Sequence, residues 1–115
     1  MTQTTIDRAT FEELKETAGT DFIMELVDTF LTEAPRMLDE LRRALATRDA
    51  EVFRRTSHSL KSNSNTFGAT ALGAMARELE LTGLDPVINA GGQPLEALAQ
   101  EYARVAAALT ELRNA

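Results

Sequence analysis

The sequence predicts an all-α fold, an antiparallel four-helix bundle with a short additional N-terminal helix. Apolar residues recur at helical period over long stretches, and nowhere does the chain sustain the alternation of period two that a strand requires. Three prolines and six glycines punctuate the 115 residues into five such stretches. A chain of this length is expected to form one domain over residues 1–115 and to bury roughly two-thirds of its unfolded surface.

The first helix is short. Thr10 and Glu13 have capping-box spacing, with Asp7 as an earlier start, and Phe11, Leu14 and Ala18 share a face ahead of Gly19. Asp21 is placed to cap the second helix. There Phe22, Ile23, Leu26, Val27, Phe30, Leu31, Ala34, Leu38, Leu41 and Leu45 form one broad apolar stripe. If it reaches Ala46 it is about 39 Å long at about 1.5 Å per residue. Pro35 lies inside it and predicts a kink or local break, although the amphipathic phase continues beyond.

Asp49 caps a third helix that ends near Phe67, with Gly68 as its stop. A fourth, from about Thr70 to Gly83, carries Leu72, Met75, Ala76 and Leu79 on one face. Leu84 to Gly92 contains Asp85-Pro86 and Gly91-Gly92 and reads as an extended loop that holds turns and no core helix. Pro94 opens the last helix at an N1 position, and Leu95, Leu98, Ala99, Tyr102, Val105, Ala106, Leu109 and Leu112 keep the period for five turns. Each helix has a single apolar stripe, which the bundle uses up, so a monomer is expected.

Composition excludes several functions. With no cysteine there is no disulfide, thiolate metal site or cysteine nucleophile. A net charge of −6 argues against non-specific nucleic-acid binding, which needs clustered Lys and Arg. The first residues, Met1 to Thr5, lack the basic and apolar regions of a targeting signal, and no run of about 18 apolar residues occurs. The expectation is a soluble cytoplasmic protein with no membrane or nucleic-acid partner.

One constellation is unusual. On a wheel at 100° per residue with Phe53 at zero, Thr56, Ser57, Leu60, Ser64 and Phe67 fall within about 60° and form the core face. His58, the only histidine, falls about 140° away on the solvent side, with Arg54, Lys61, Ser62 and Asn65. A single surface histidine ordinarily needs no explanation. Here, however, residues 42–61 carry a net +4 while the rest of the chain sums to −10. Arg42 and Arg43 lie near a helix end, where cations complement the macrodipole, but Arg54, Arg55 and Lys61 surround the imidazole without that reason. Phosphoryl acceptance suits such a site, because neutral imidazole, with a pKa of about 6.5, is a competent nucleophile near neutral pH. Lys61, three residues on, is placed to approach a phosphoryl oxygen, while Ser62 and Asn65 are short enough to leave the ring accessible.

The run His58-Ser59-Leu60-Lys61-Ser62-Asn63-Ser64-Asn65-Thr66-Phe67-Gly68-Ala69 resembles the signature of histidine-containing phosphotransfer (HPt) domains, H-x-L-K-G-S-[SA]-x-x-[LIF]-G-A. The resemblance extends to Ile6-Asp7, Phe30-Leu31-Thr32-Glu33-Ala34-Pro35 and the pair Leu79-Glu80, and so covers nearly the whole chain. It implies that His58 is phosphorylated through Nε2 and that Lys61 steadies the phosphoryl group. The chain departs from the pattern at Ser62, where glycine is frequent, and at Asn65, where a smaller residue is common; Ser62 adds a hydrogen-bonding group beside the ring, and Asn65 is a candidate for partner choice.

Other chemistries lack parts. A hydrolase built on His58 and Ser62 has no oxyanion hole, nucleophile elbow or orienting acid on that helix. A metal site lacks ligands, since no carboxylate pairs with His58 at i+4. No Gly-rich nucleotide loop occurs, so the expectation is a phosphoryl carrier and not an ATP-dependent kinase. The resemblance then implies receiver domains of response regulators or hybrid sensor histidine kinases as partners. Mg²⁺ is expected in the receiver's acidic pocket, with no cofactor or metal on this chain, and Arg54 and Arg55 are candidates to steer acidic receiver loops. The alternative is an inert bundle that binds receiver or kinase domains without phosphotransfer.

Overall fold

The computed structural model describes residues 5–114, so the reading of residues 1–4 as free of a targeting signal lies outside the described residues. The described residues form six helices and no strand: α1 (Arg8–Ala18), α2 (Thr20–Thr47), α3 (Ala50–Thr66), α4 (Thr70–Thr82), α5 (Leu84–Asn89) and α6 (Gln93–Asn114). Among them α2 packs on α3, α3 on α4, α4 on α6 and α6 back on α2, whereas the backbones of the diagonal pairs α2/α4 and α3/α6 do not approach each other closely. That closed ring is the expected four-helix bundle. α1 lies against α2 as the additional helix. No helix among the described residues is long and apolar enough to cross a membrane.

Local chemistry explains most boundaries and corrects some. Asp7, and not Thr10, caps α1: its Oδ1 accepts from the Ala9 N–H at 3.2 Å, and the Thr10 hydroxyl donates to its Oδ2 at 2.8 Å. The chain is already anchored there, because Ile6 is buried and the Asp7 N–H donates to the Gly68 carbonyl at 2.8 Å. Nor does Asp21 cap α2. Gly19, at φ +94°, ends α1 and opens α2 directly at Thr20, which leaves Asp21 in the first turn, where its charge still complements the helix dipole.

Pro35 does not break α2, which runs unbroken for 28 residues. The proline is on the exposed face, so the disturbed turn faces water, while Ala34 before it and Leu38 after it are both buried. Phe22, read as part of the apolar stripe, is 51% exposed. It stands about 100° from Ile23 on the wheel, outside the sector that Ile23, Val27, Phe30 and Ala34 turn inward.

α3 follows the sequence closely. Asp49 Oδ1 accepts from the Val52 N–H at 3.1 Å, a cap that contributes about 1 kcal/mol. Phe53, Thr56, Ser57, Leu60, Ser64 and Phe67 are all buried, so the wheel's core face is the real one. Burial of Leu60 alone stabilises by roughly 1.5–3 kcal/mol. Among the polar members, Ser64 donates to the Leu60 carbonyl at 2.7 Å and Thr56 to Glu40 of α2 at 3.1 Å.

The segment read as an extended loop holds a helix, α5, that buries Leu84 and Val87 and links α4 to α6. Asp85 and Pro86 fall in its first turn, where an acidic charge is favourable and a missing N–H costs little. Leu84, Val87 and Ile88 stand at i, i+3 and i+4, but six residues are too short a stretch to establish a period against the proline and glycines around it. α6 begins at Gln93 with Pro94 in its first turn and turns Leu95, Leu98, Val105 and Leu109 inward.

Candidate functional site

The α3–α4 pairing defines the site. His58 is displayed in the middle of α3 with its side chain 54% exposed, as the wheel requires. Glu80 lies on the neighbouring helix one position after buried Leu79, which directs it along the seam between the helices. Its Oε2 lies 2.8 Å from His58 Nδ1, and its Oε1 lies 3.0 Å from Lys61 Nζ. One carboxylate therefore joins the imidazole and the lysine.

This contact has a chemical consequence for the ring. The Glu80 carboxyl is held below the usual carboxylate range, by Lys61 first and by His58 as well, against an opposing effect of desolvation. An ionised carboxylate only accepts hydrogen bonds, so the ring nitrogen facing it must carry the proton. With the proton on Nδ1 of a neutral imidazole, the lone pair is on Nε2. The arrangement can therefore offer a nucleophilic nitrogen at the surface without a separate general base.

The predicted site residues divide into distinct settings. Lys61 is not free on an exposed flank; its side chain is 24% exposed and ion-paired with Glu80 across the seam. Arg54 shares this side of α3 and donates to Glu51 at 2.8 Å, the contact that chiefly raises its pKa. Two of the three cations nearest His58 on α3 thus already have carboxylate partners. Arg55 is exposed and lines a shallow groove with Glu40 and Arg43 of α2. Arg42 turns away toward Asp39 and, at 3.8 Å, Glu96 of α6, so the basic run of the sequence is not one patch in space.

Ser62 and Asn65 are exposed beyond His58 along α3. The Asn65 amide lies on α4 at Gly73, where there is no Cβ to exclude it. Of the residues that build the site, sequence reasoning misses Glu80 as a partner of His58. The two are 22 positions apart, and helical periodicity relates neighbours on one helix, not carboxylates delivered by another. The only signal was its place in the Leu79-Glu80 pair of the family pattern.

Comparison with known proteins gives a consistent result. Residues 25–115 match the family model described as Hpt domain. The crystal structure of histidine-containing phosphotransfer protein B (HptB) from Pseudomonas aeruginosa PAO1 is similar over 98% of this chain and 97% of that one, with a TM-score of 0.89 and 27% sequence identity. Curated protein sequences yielded no match.

Proposed function

We propose that this chain, which belongs to the Hpt domain family, carries a phosphoryl group on His58 between receiver domains. Members of this family are phosphocarriers of two-component signalling and not kinases. The observation that carries the assignment to His58 is the Glu80 contact at Nδ1, because it leaves the Nε2 lone pair at the surface as the attacking atom.

In the forward step a receiver bearing phospho-aspartate docks over α3. The Nε2 lone pair attacks phosphorus in line as the acyl-phosphate P–O bond breaks, its electron pair returning to the aspartate oxygen. Lys61 steadies the phosphoryl oxygens, and the reverse step loads a second receiver. Mg²⁺ belongs to the receiver's acidic pocket. On the flank of α3 away from Glu80, the α2–α3 groove lined by Leu26, Met37, Asn63 and Thr66 offers an apolar floor with polar edges, which suits a weak and transient contact.

Incubation with a phosphorylated receiver should label the protein, and ATP alone should not. The label should be lost in acid and survive base, as an N–P bond does. His58→Gln should keep its helical content and take no label; uptake by that variant, or none by wild type with any receiver from its own cell, leaves an inert adaptor as the better reading.

A further inference from the structure

Glu80 faces the two groups that meet the phosphoryl charge, the imidazole through Oε2 and the lysine through Oε1. The state of the ring after transfer is therefore under its influence. A bond from Nε2 to phosphorus converts the neutral imidazole into a phosphoimidazolium whose remaining N–H is at Nδ1. While that proton stays, cleavage of the Nε2–P bond releases neutral imidazole, a good leaving group. Once the proton is lost the leaving group is imidazolate, which is far poorer.

We infer that Glu80 sets the lifetime and transferability of the phosphohistidine by holding the Nδ1 proton on the phosphorylated ring. This rests on His58 being the phosphoacceptor. In both directions the electron pair moves only between Nε2, phosphorus and the aspartate oxygen, and the Nδ1 proton never leaves its hydrogen bond. Neither loading nor unloading then needs an acid or a base.

The charges around the ring favour this outcome by distance. From α4 comes Glu80, in contact with the N–H. From α3 come Lys61, Arg55, and Arg54 with its partner Glu51, and α2 contributes Glu40 and Arg43 beside Arg55. Lys61 is itself paired with the same carboxylate, and a carboxylate at hydrogen-bond distance outweighs the exposed arginines in favouring the charged ring. When the phosphoryl group arrives it draws Lys61 toward its own oxygens, and the charge of Glu80 is then left to the Nδ1–H alone. Glu80 is thus a positioning residue that acts through His58.

The test uses phosphoramidate as a small-molecule donor to load wild type and Glu80→Gln, followed by removal of the donor and measurement of label loss from pH 6 to pH 9 without any receiver. The lifetimes should be similar at pH 6, and the variant several-fold longer-lived at pH 8, its hydrolysis profile displaced toward lower pH. Equal lifetimes throughout, or a shorter-lived variant, overturn the proposal. Should Glu80→Gln fold poorly, ¹⁵N titration of the wild-type phosphoprotein gives the same answer. Its Nδ1 should keep the proton to higher pH than free Nε2-phosphohistidine titrated alongside, and a midpoint at or below the free compound overturns the proposal. A wild type that takes no phosphoryl group on His58 overturns the carrier reading and this proposal together, whereas a labelled pair of equal lifetime overturns this proposal alone.

Discussion

The side-chain amide of Asn65 lies where a Cβ on Gly73 would stand. Gly73 is buried on α4 and Asn65 exposed on α3, so the absence of a side chain on one helix seats a polar group from the other. Alanine in place of a mid-helix glycine ordinarily stabilises by about 0.5–1 kcal/mol. In Gly73→Ala that gain should be offset, because the amide has to turn outward. With Asn65→Ala in the same chain the space is free, and the double variant should exceed the sum of the two single effects. Urea unfolding midpoints of the four proteins measure this coupling, and strictly additive effects would remove the contact from the account.

Gly68 makes a stiffer demand. At φ +78° it occupies the left-handed region, and an added Cβ would stand 3.0 Å from both the Asp7 carbonyl oxygen and Thr10 Cβ. Backbone strain and a clash with a fixed carbonyl act in the same direction. Gly68→Ala should therefore cost about 1–3 kcal/mol. Amide exchange should also accelerate in α1, because the Asp7 N–H to Gly68 carbonyl bond ties that helix to the α3–α4 turn. Protection in α1 equal to wild type would contradict this.

These two glycines also mark the limit of sequence reading. Gly68 was legible as a helix stop because stopping is local, and Asp49 was legible as a cap for the same reason. That Gly68 also receives the chain at Asp7, 61 positions earlier, is tertiary, and so the sequence leaves both Thr10 and Asp7 open as the start of α1. α5 escaped because six residues, with Leu84, Val87 and Ile88 at helical spacing, are too short a stretch to establish a period, and its proline read as a breaker although the first helical turn tolerates it. At the site, the wheel put His58 on the surface, but charge counted along the chain described Lys61 and Arg54 as uncompensated cations. Their partners Glu80 and Glu51 show why that count misled: Glu80 is brought from α4, and Glu51 was netted against the run as a whole.

Acid should weaken the α3–α4 seam. The Glu80 carboxyl lies below its ordinary value of 4.5, chiefly because of Lys61. A carboxyl lowered by folding contributes stability above its unfolded pKa, and that contribution is lost as pH falls through the lower folded value. Glu51, lowered by Arg54, acts in the same sense. The melting temperature of wild type relative to Glu80→Gln should accordingly not decline from pH 7 to about 5 and should decline below about 4.5. A difference that stays level down to pH 3 would show that the charge of Glu80 contributes nothing to the seam.

Lys61→Ala should slow phosphoryl transfer to and from His58 while leaving the helices intact. The lysine has two roles in this structure. Before transfer it balances Glu80, which is only 16% exposed; during transfer its ammonium is the cation placed to follow the phosphoryl oxygens. A hydrogen bond to a charged group is worth about 1.5–3 kcal/mol, so losing one in the transition state should slow transfer roughly 10- to 100-fold. The Glu80 contact at Nδ1 does not depend on the lysine, so the tautomer that leaves Nε2 as the unprotonated nitrogen is kept. The acceptor should therefore remain competent, and Lys61→Ala should still take label, only slowly. Lys61→Arg, which keeps the charge but changes its reach, should fall between the two. Transfer rates from a phosphorylated receiver and far-UV circular dichroism separate the outcomes. An unchanged rate would take Lys61 out of the site, and a loss of helical signal would make its pairing with Glu80 structural.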